Sequence, residues 1–289
     1  MVILDRAGEV EITDAADFDL VKTFECGQCF RWDADTSDAQ VGGCTAIAYA
    51  GVAHGRAARL RSAGGSVFIS CTMEEFESVW RPYFDLDRDY ADIRRRLNID
   101  DFMRGAVEFG RGIRILRQDK WEALCSFIVS QNNNIPRIKK IVAALCRHFG
   151  DELEFGGGIY HKFPSAERLA SLEADELSPL RCGYRAEYVI GAARAVDSGA
   201  LDLDALSRMD PADARSALTR LRGVGDKVAS CAMLYGLHML DSFPLDVWMK
   251  RAVAERLGPA FDPAVFHPYA GVAQQYIFHY MRSGAAARE

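Results

Sequence analysis

The sequence predicts an α+β chain in which an antiparallel β-sheet domain is followed by an all-α domain. Three observations carry that expectation. Up to residue 71 the apolar residues come in short or alternating runs, as in the stretches 2–4, 10–12, 45–49 and 67–71, with Gly42-Gly43 and Gly64-Gly65 as turns. From Thr72 onward the apolar period becomes helical. Far downstream, residues 221–229 read Leu-Arg-Gly-Val-Gly-Asp-Lys-Val-Ala, an apolar-x-Gly-apolar-Gly turn between two helical patterns.

Taken in order, the helices have local reasons. Thr72 and Glu75 have the spacing of a capping box, after which Phe76, Val79 and Trp80 share a face. Asp119 and Glu122 repeat the device ahead of Trp121, Leu124, Cys125 and Ile128. Further helices are predicted over 137–149, 165–172, 186–198, 211–221, 226–239, 246–257 and 266–282, with Pro136 and Pro244 suiting helix starts. The switch of period places a boundary near residue 115, giving an N-terminal β-containing domain over 1–115 and a helical domain over 116–289. No internal repeat is evident.

Composition narrows the function classes. The 289 residues are 49% hydrophobic and 26% charged, as in ordinary globular chains. No apolar run would span a bilayer and no basic-then-apolar leader opens the chain, so no membrane partner is expected. The expected location is cytoplasmic, with association to the nucleoid through DNA, or nuclear in a eukaryote. Of the eight cysteines only Cys26 and Cys29 are close together, in the stretch Phe24 to Trp32, FECGQCFRW. No second C-x-x-C or H-x-x-x-H completes a zinc site, and no cysteine cluster suits an iron–sulfur centre. A dithiol role is opposed by the strand context expected there and by the missing partner cysteines. The net charge of −6 disfavours nucleic acid in the mean. A local basic face survives that argument: residues 131–150 include Arg137, Lys139, Lys140 and Arg147 and no acid.

The glycine turn is where chemistry concentrates. Gly223 and Gly225 permit a tight, open backbone, and the next helix starts with N–H groups that lack intrahelical partners. Such a turn cradles a phosphate, the helix-hairpin-helix way of holding a DNA backbone without reading sequence. An ordinary helix–turn–helix connection has the same pattern. Lys227 at the start of the second helix offers an amine nucleophile. Asp246, after Pro244, is either a helix N-cap or a carboxylate facing that lysine. Amine and carboxylate beside a DNA-holding turn suit attack at a sugar C1′, with the carboxylate stabilising positive charge on the sugar as the base leaves.

Residues 221–229 together with Pro244 to Asp246 resemble the helix-hairpin-helix/Gly–Pro–Asp superfamily of DNA glycosylases, whose lysine-bearing branches also act as AP lyases. The stretches Gly27 to Trp32, Leu116 to Asp119, Ser126 to Ile128, Asn132 to Arg137, Cys182 to Ala186 and Ala273-Gln274 narrow the resemblance to the 8-oxoguanine DNA glycosylase family. It runs from residue 24 to residue 278, nearly the whole chain. The resemblance implies a TATA-binding-protein-like N-terminal sheet, an all-α helix-hairpin-helix glycosylase domain and a duplex DNA partner with 8-oxoguanine opposite cytosine. It implies Lys227 as nucleophile and Asp246 as catalytic aspartate. Gly27 would offer its carbonyl to the N7–H that only the oxidised base carries, since guanine itself has an acceptor there. Cys231 and Phe278 would sandwich the flipped base, and Gln274 would read its Watson–Crick edge. Asn132 and Tyr184 would fill the vacated space, and Arg137 and Arg185 would contact the orphaned cytosine. For Cys231 and Phe278 the alternative is plain core packing.

The chain departs from the family pattern at three positions. Trp248 stands where well-known members place a phosphate-contacting histidine, Tyr235 where methionine is frequent, and Arg222 where the hairpin commonly has proline. No cofactor is expected beyond a structural metal ion that hairpin carbonyls of this superfamily can hold. Monomeric action is expected, one molecule per lesion. Three other readings stay open: a related glycosylase for another damaged purine, a non-catalytic DNA-binding module, and a thiol or zinc protein. Lys227 with Asp246 weighs against the module, and Gly27 with Gln274 against another lesion.

Overall fold

A computed structural model of the chain describes residues 1–35, 40–41, 44–45 and 47–287. The expected Gly42-Gly43 turn lies outside the described residues. Two compact units result: residues 1–51, 58–117 and 245–289 form the first, residues 52–57 and 118–244 the second.

The first unit is built on a six-stranded sheet in the order Val2–Arg6, Glu9–Thr13, Ser66–Ile69, Arg56–Ala63, Ile47–Ala53, Trp32–Asp35. Its alternation sets which face is buried. Val10 pairs with Ile69 and Ile12 with Val67, Leu60 also pairs with Ile69, and all five side chains are buried. Phe24 stacks on Trp32 with centroids 4.6 Å apart, and the indole Nε1 of Trp32 donates to Tyr83 Oη at 2.8 Å. Thr72 and Asp119 cap as their spacing predicts, accepting from the N–H groups of Glu75 and Glu122. The Glu75 carboxylate, however, accepts from Trp80 Nε1 at 3.0 Å.

The helix Ala270–Arg282 packs in this same unit, against Asp101–Phe109, with Tyr280 between Phe102 and Phe109. Residues 245–289 thus join the N-terminal unit, whereas the division at 115 left them with the helical segment. The helix starts at Ala270 rather than 266, because Pro268 and the 3-10 turn Pro263–Phe266 precede it. A six-residue helix, Leu20–Glu25, also interrupts the region read as β.

The second unit wraps helices around Lys120–Val129, in which every residue after Lys120 is buried. The other predicted helices appear as Ile135–Phe149, Ala166–Ala170, Arg185–Asp197, Pro211–Thr219 and Asp226–Cys231. The last passes into a π-turn at Ala232–Gly236, so the continuous helix expected to 239 is shorter. This segment is not all-helical: Glu152–Phe155 and Gly158–His161 form an antiparallel hairpin.

Candidate active site

In the second unit the helix Pro211–Thr219 leads through the glycine turn into Asp226–Cys231. Gly223 has φ +83, and a Cβ there would lie 2.3 Å from the ring of Tyr188. Glycine is therefore required twice, by conformation and by contact. Val224 is buried and its N–H donates to Leu221 O at 3.0 Å, which closes the turn. Gly225 is the N-cap and no side chain caps the helix. The first N–H groups are left for an anionic ligand.

Lys227 leaves this helix in its first turn. Its Nζ donates to Ser130 Oγ at 3.0 Å and lies 5.3 Å from the centroid of Phe127. Ser130 Oγ itself donates to Phe127 O at 2.7 Å. Its proton is thus directed away and its lone pairs face the amine, which holds Lys227 in place without a countercharge at that contact. Cys231 lies one turn on, 3% exposed.

A second constellation gathers around residues 131–137. Asn132 takes a left-handed φ of +44 and Arg181 one of +53, conformations that cost energy outside glycine and collect at functional loops. Asn132 Nδ2 donates to Tyr184 Oη at 3.1 Å, and Tyr184 is 49% exposed. Arg185 is buried beneath them. Its guanidinium donates to Gln131 O, to Asn132 O at 3.0 Å and to Cys182 O at 3.1 Å, and stands 4.6 Å from the Tyr184 ring centroid. Of five N–H donors, Arg185 has one left to offer a base. Arg137 is exposed and spends one donor, on Arg181 O at 3.2 Å.

The first unit carries the remaining candidates. Gly27 sits directly after the helix Leu20–Glu25 with φ +85. The stretch around it is a turn, not the strand expected there, and the strand begins at Trp32. Phe30 and Trp32 are buried. Buried Gln28 locks the turn, donating to Thr23 O at 2.9 Å and Arg114 O at 2.8 Å and accepting from Leu116 N. Gln275 Nε2 donates to Cys26 O at 3.1 Å, and Arg282 Nη2 to Glu25 O at 2.7 Å. The turn bearing Gly27 is thereby clamped to the helix bearing Gln274 and Phe278. Gln274 is 3% exposed, and its Oε1 is buried with no hydrogen-bond partner among the described residues. An orphaned buried amide oxygen is costly, and a ligand donor would relieve it.

Asp246 caps Val247–Ala252, Oδ1 accepting from Met249 N at 2.9 Å. The N-cap reading is met, and the residue is half-buried. Pro244 lies two residues before the cap instead of opening the helix. Trp248 lines a cavity of about 120 Å³ with Arg251, Arg256 and Met281. Lys227 thus belongs to the second unit and Asp246 to the first. Sequence reasoning gave no role to Ser130, Tyr188 or Gln275. Ser130 stands 97 positions from Lys227 and carries no local signal.

Cys26 and Cys29 do not make a reactive pair. Both are buried and no disulfide joins any of the seven cysteines whose side chains are described. Burial pushes the Cys26 thiol up to about 12, far from the low values of reactive thiolates. Among the described residues no group of three or more His, Cys, Asp or Glu could hold a metal ion.

Comparison with known proteins shows the family. Residues 11–124 match the 8-oxoguanine DNA glycosylase N-terminal domain, and residues 125–260 match the HhH-GPD superfamily of base excision DNA repair proteins. The chain is 30% identical to the N-glycosylase/DNA lyase OGG1 of Arabidopsis thaliana, over 89% of this chain and 72% of that protein. A solved structure of MBOgg1 in complex with a low-affinity DNA ligand superposes with TM-score 0.90 at 39% identity, over 98% of this chain and 99% of that one. The 8-oxoguanine glycosylase/lyase of Clostridium acetobutylicum, in complex with double-stranded DNA containing cytosine opposite 8-oxoguanine, superposes with TM-score 0.89 at 32% identity, over 99% of both chains.

Proposed function

The chain belongs to the 8-oxoguanine DNA glycosylase family of the HhH-GPD superfamily, and from that premise we propose how its own residues excise 8-oxoguanine opposite cytosine and nick the strand. The carrying observation is Lys227, held on Ser130 Oγ in the first turn of the helix that follows the glycine hairpin.

The hairpin N–H groups hold a DNA phosphate while the lesion swings out of the stack. The Lys227 amine attacks C1′. The C1′–N9 bond breaks, its electron pair leaving with the base, and Asp246 stabilises the positive charge that builds on the sugar. Ring opening gives a Schiff base between Lys227 and C1′. Loss of a C2′ proton then breaks the C3′–O bond by β-elimination, and water releases the lysine. Gly27 O accepts N7–H of the oxidised base and repels the N7 lone pair of guanine. Gln274, whose Oε1 has no donor among the described residues, takes the Watson–Crick edge, and Cys231 and Phe278 close on the ring faces. Trp248 offers an indole N–H where a phosphate would pass.

Across the helix, Asn132 and Tyr184 fill the gap. With four of its donors already placed, Arg185 chiefly shapes the loop and gives one hydrogen bond, so Arg137 carries most of the cytosine recognition. An ion on the hairpin would rest on carbonyls such as Leu221 O and Gly225 O, each accepting one N–H and keeping a second lone pair; no step depends on it. One copy of the chain acts on one lesion.

Borohydride trapping on duplexes with 8-oxoguanine opposite each of the four bases tests this reading. A covalent band with wild type, strongest opposite cytosine and absent in Lys227→Gln, is expected. An uncut, untrapped but bound duplex would sink the lysine mechanism.

A further inference from the structure

Between the hairpin and the loop of Asn132 lies a side chain that the excision scheme leaves idle. Tyr184 is the N-cap of the helix Arg185–Asp197 and Tyr188 lies one turn on, their rings edge to face at 5.6 Å. On its far side the Tyr188 ring fills the space a Cβ of Gly223 would need, 2.3 Å from the nearest ring carbons. On the near side Tyr184 Oη holds Asn132 Nδ2. A continuous line of contact therefore runs Gly223, Tyr188, Tyr184, Asn132. It is anchored at the loop end by Arg185, whose guanidinium ties the helix start to the carbonyls of residues 131 and 132. Packed aromatic contacts of this kind leave little slack.

We propose that Tyr188 is a positioning residue that registers the strand-holding hairpin against the Asn132–Tyr184 pair, and so contributes to discrimination of the base opposite the lesion. The proposal rests on Asn132 and Tyr184 being the residues that occupy the vacated space. Its physical content is that a phosphate seated on Gly223–Gly225 fixes where Tyr184 stands in the duplex. Arg222, with its guanidinium 5.8 Å from the Tyr188 centroid, is paired to Glu187 at 3.0 Å on the exposed side of the hairpin.

The test measures single-turnover cleavage of 8-oxoguanine opposite cytosine and opposite adenine for wild type, Tyr188→Leu and Tyr188→Phe, with a melting curve for each. The expected result is a fall in the cytosine-to-adenine rate ratio of about 3- to 30-fold in Tyr188→Leu, with Tyr188→Phe near wild type because the ring contacts need no hydroxyl. A purely structural role lowers both rates in proportion and leaves the ratio unmoved, and that outcome overturns the proposal. Should Tyr188→Leu fail to fold, Tyr188→Met, which keeps more of the side-chain volume but no ring, is read by the same ratio. A wild type that discriminates, with every folded variant discriminating equally, removes the coupling alone. A wild type that traps no DNA removes the underlying scheme.

Discussion

At Cys26 burial decides between two chemistries that the C-x-x-C spacing allows. The thiol is fully enclosed, donates to Thr23 O at 3.3 Å and accepts from Gln28 Nε2 at 3.4 Å, and its pKa is pushed up to about 12. What the stretch contributes is backbone: Cys26 O holds Gln275 and Gly27 supplies the left-handed turn. Cys26→Ala is accordingly expected to retain trapping yield within about two-fold, since its lost contacts are worth roughly 1 kcal/mol each. Native alkylation of this cysteine at pH 8 should be far slower than in urea. Rapid native labelling, or loss of trapping in Cys26→Ala, would contradict a purely structural thiol. The opposite behaviour holds at Gly223, where φ +83 and the Tyr188 ring both exclude a side chain.

Among the elements, what was legible in the sequence is what is encoded locally. N-caps at Thr72, Asp119 and Asp246 can be read because cap and partner lie three residues apart. The glycine hairpin can be read because its turn needs particular residues in a row. The helix Ile135–Phe149 shows the same economy: Asn134 Oδ1 accepts from Arg137 N at 3.0 Å, directly beside the left-handed Asn132. Asn134→Ala should cost about 1 kcal/mol, seen as a lower melting temperature, and should weaken duplex binding through the loosened start of a helix that bears Arg137. An unchanged melting temperature would show the cap to be dispensable. Illegible elements lack such local grammar. The hairpin Glu152–Phe155 with Gly158–His161 is short and isolated among helices, and its residues are exposed or half-buried, with none fully buried. The helix Leu20–Glu25 has six residues, too few for a period to declare itself. The hold of Ser130 on Lys227 joins residues that only the tertiary fold brings together.

For the whole molecule the same limit explains the chain division. A boundary drawn from a change of period assigns everything after it to one domain, whereas residues 245–289 return to the first unit, a choice made by long-range packing of Ala270–Arg282 on Asp101–Phe109. That return has a consequence for acid stability. His279 lies on the returning helix, its ring 5.0 Å from that of Phe109, and its Nδ1 is buried without a hydrogen-bond partner among the described residues. Burial, and then the charges of Arg282 and Lys22, against a smaller opposing pull from Asp19, hold its pKa down to about 4. The unfolded chain takes that proton near pH 6.5. Between these values the unfolded state binds more protons, so this group makes stability fall as the pH drops from about 6.5 towards 4, and contributes no slope above that window. The depressed carboxylates of Asp92 and Asp204, paired with Arg96 and Lys120, lose their contribution only at lower pH. Urea titrations of wild type and His279→Gln at pH 7.5 and pH 5 should therefore show a smaller acid-induced loss in the variant. Equal losses in both proteins would mean that His279 takes up its proton as readily folded as unfolded.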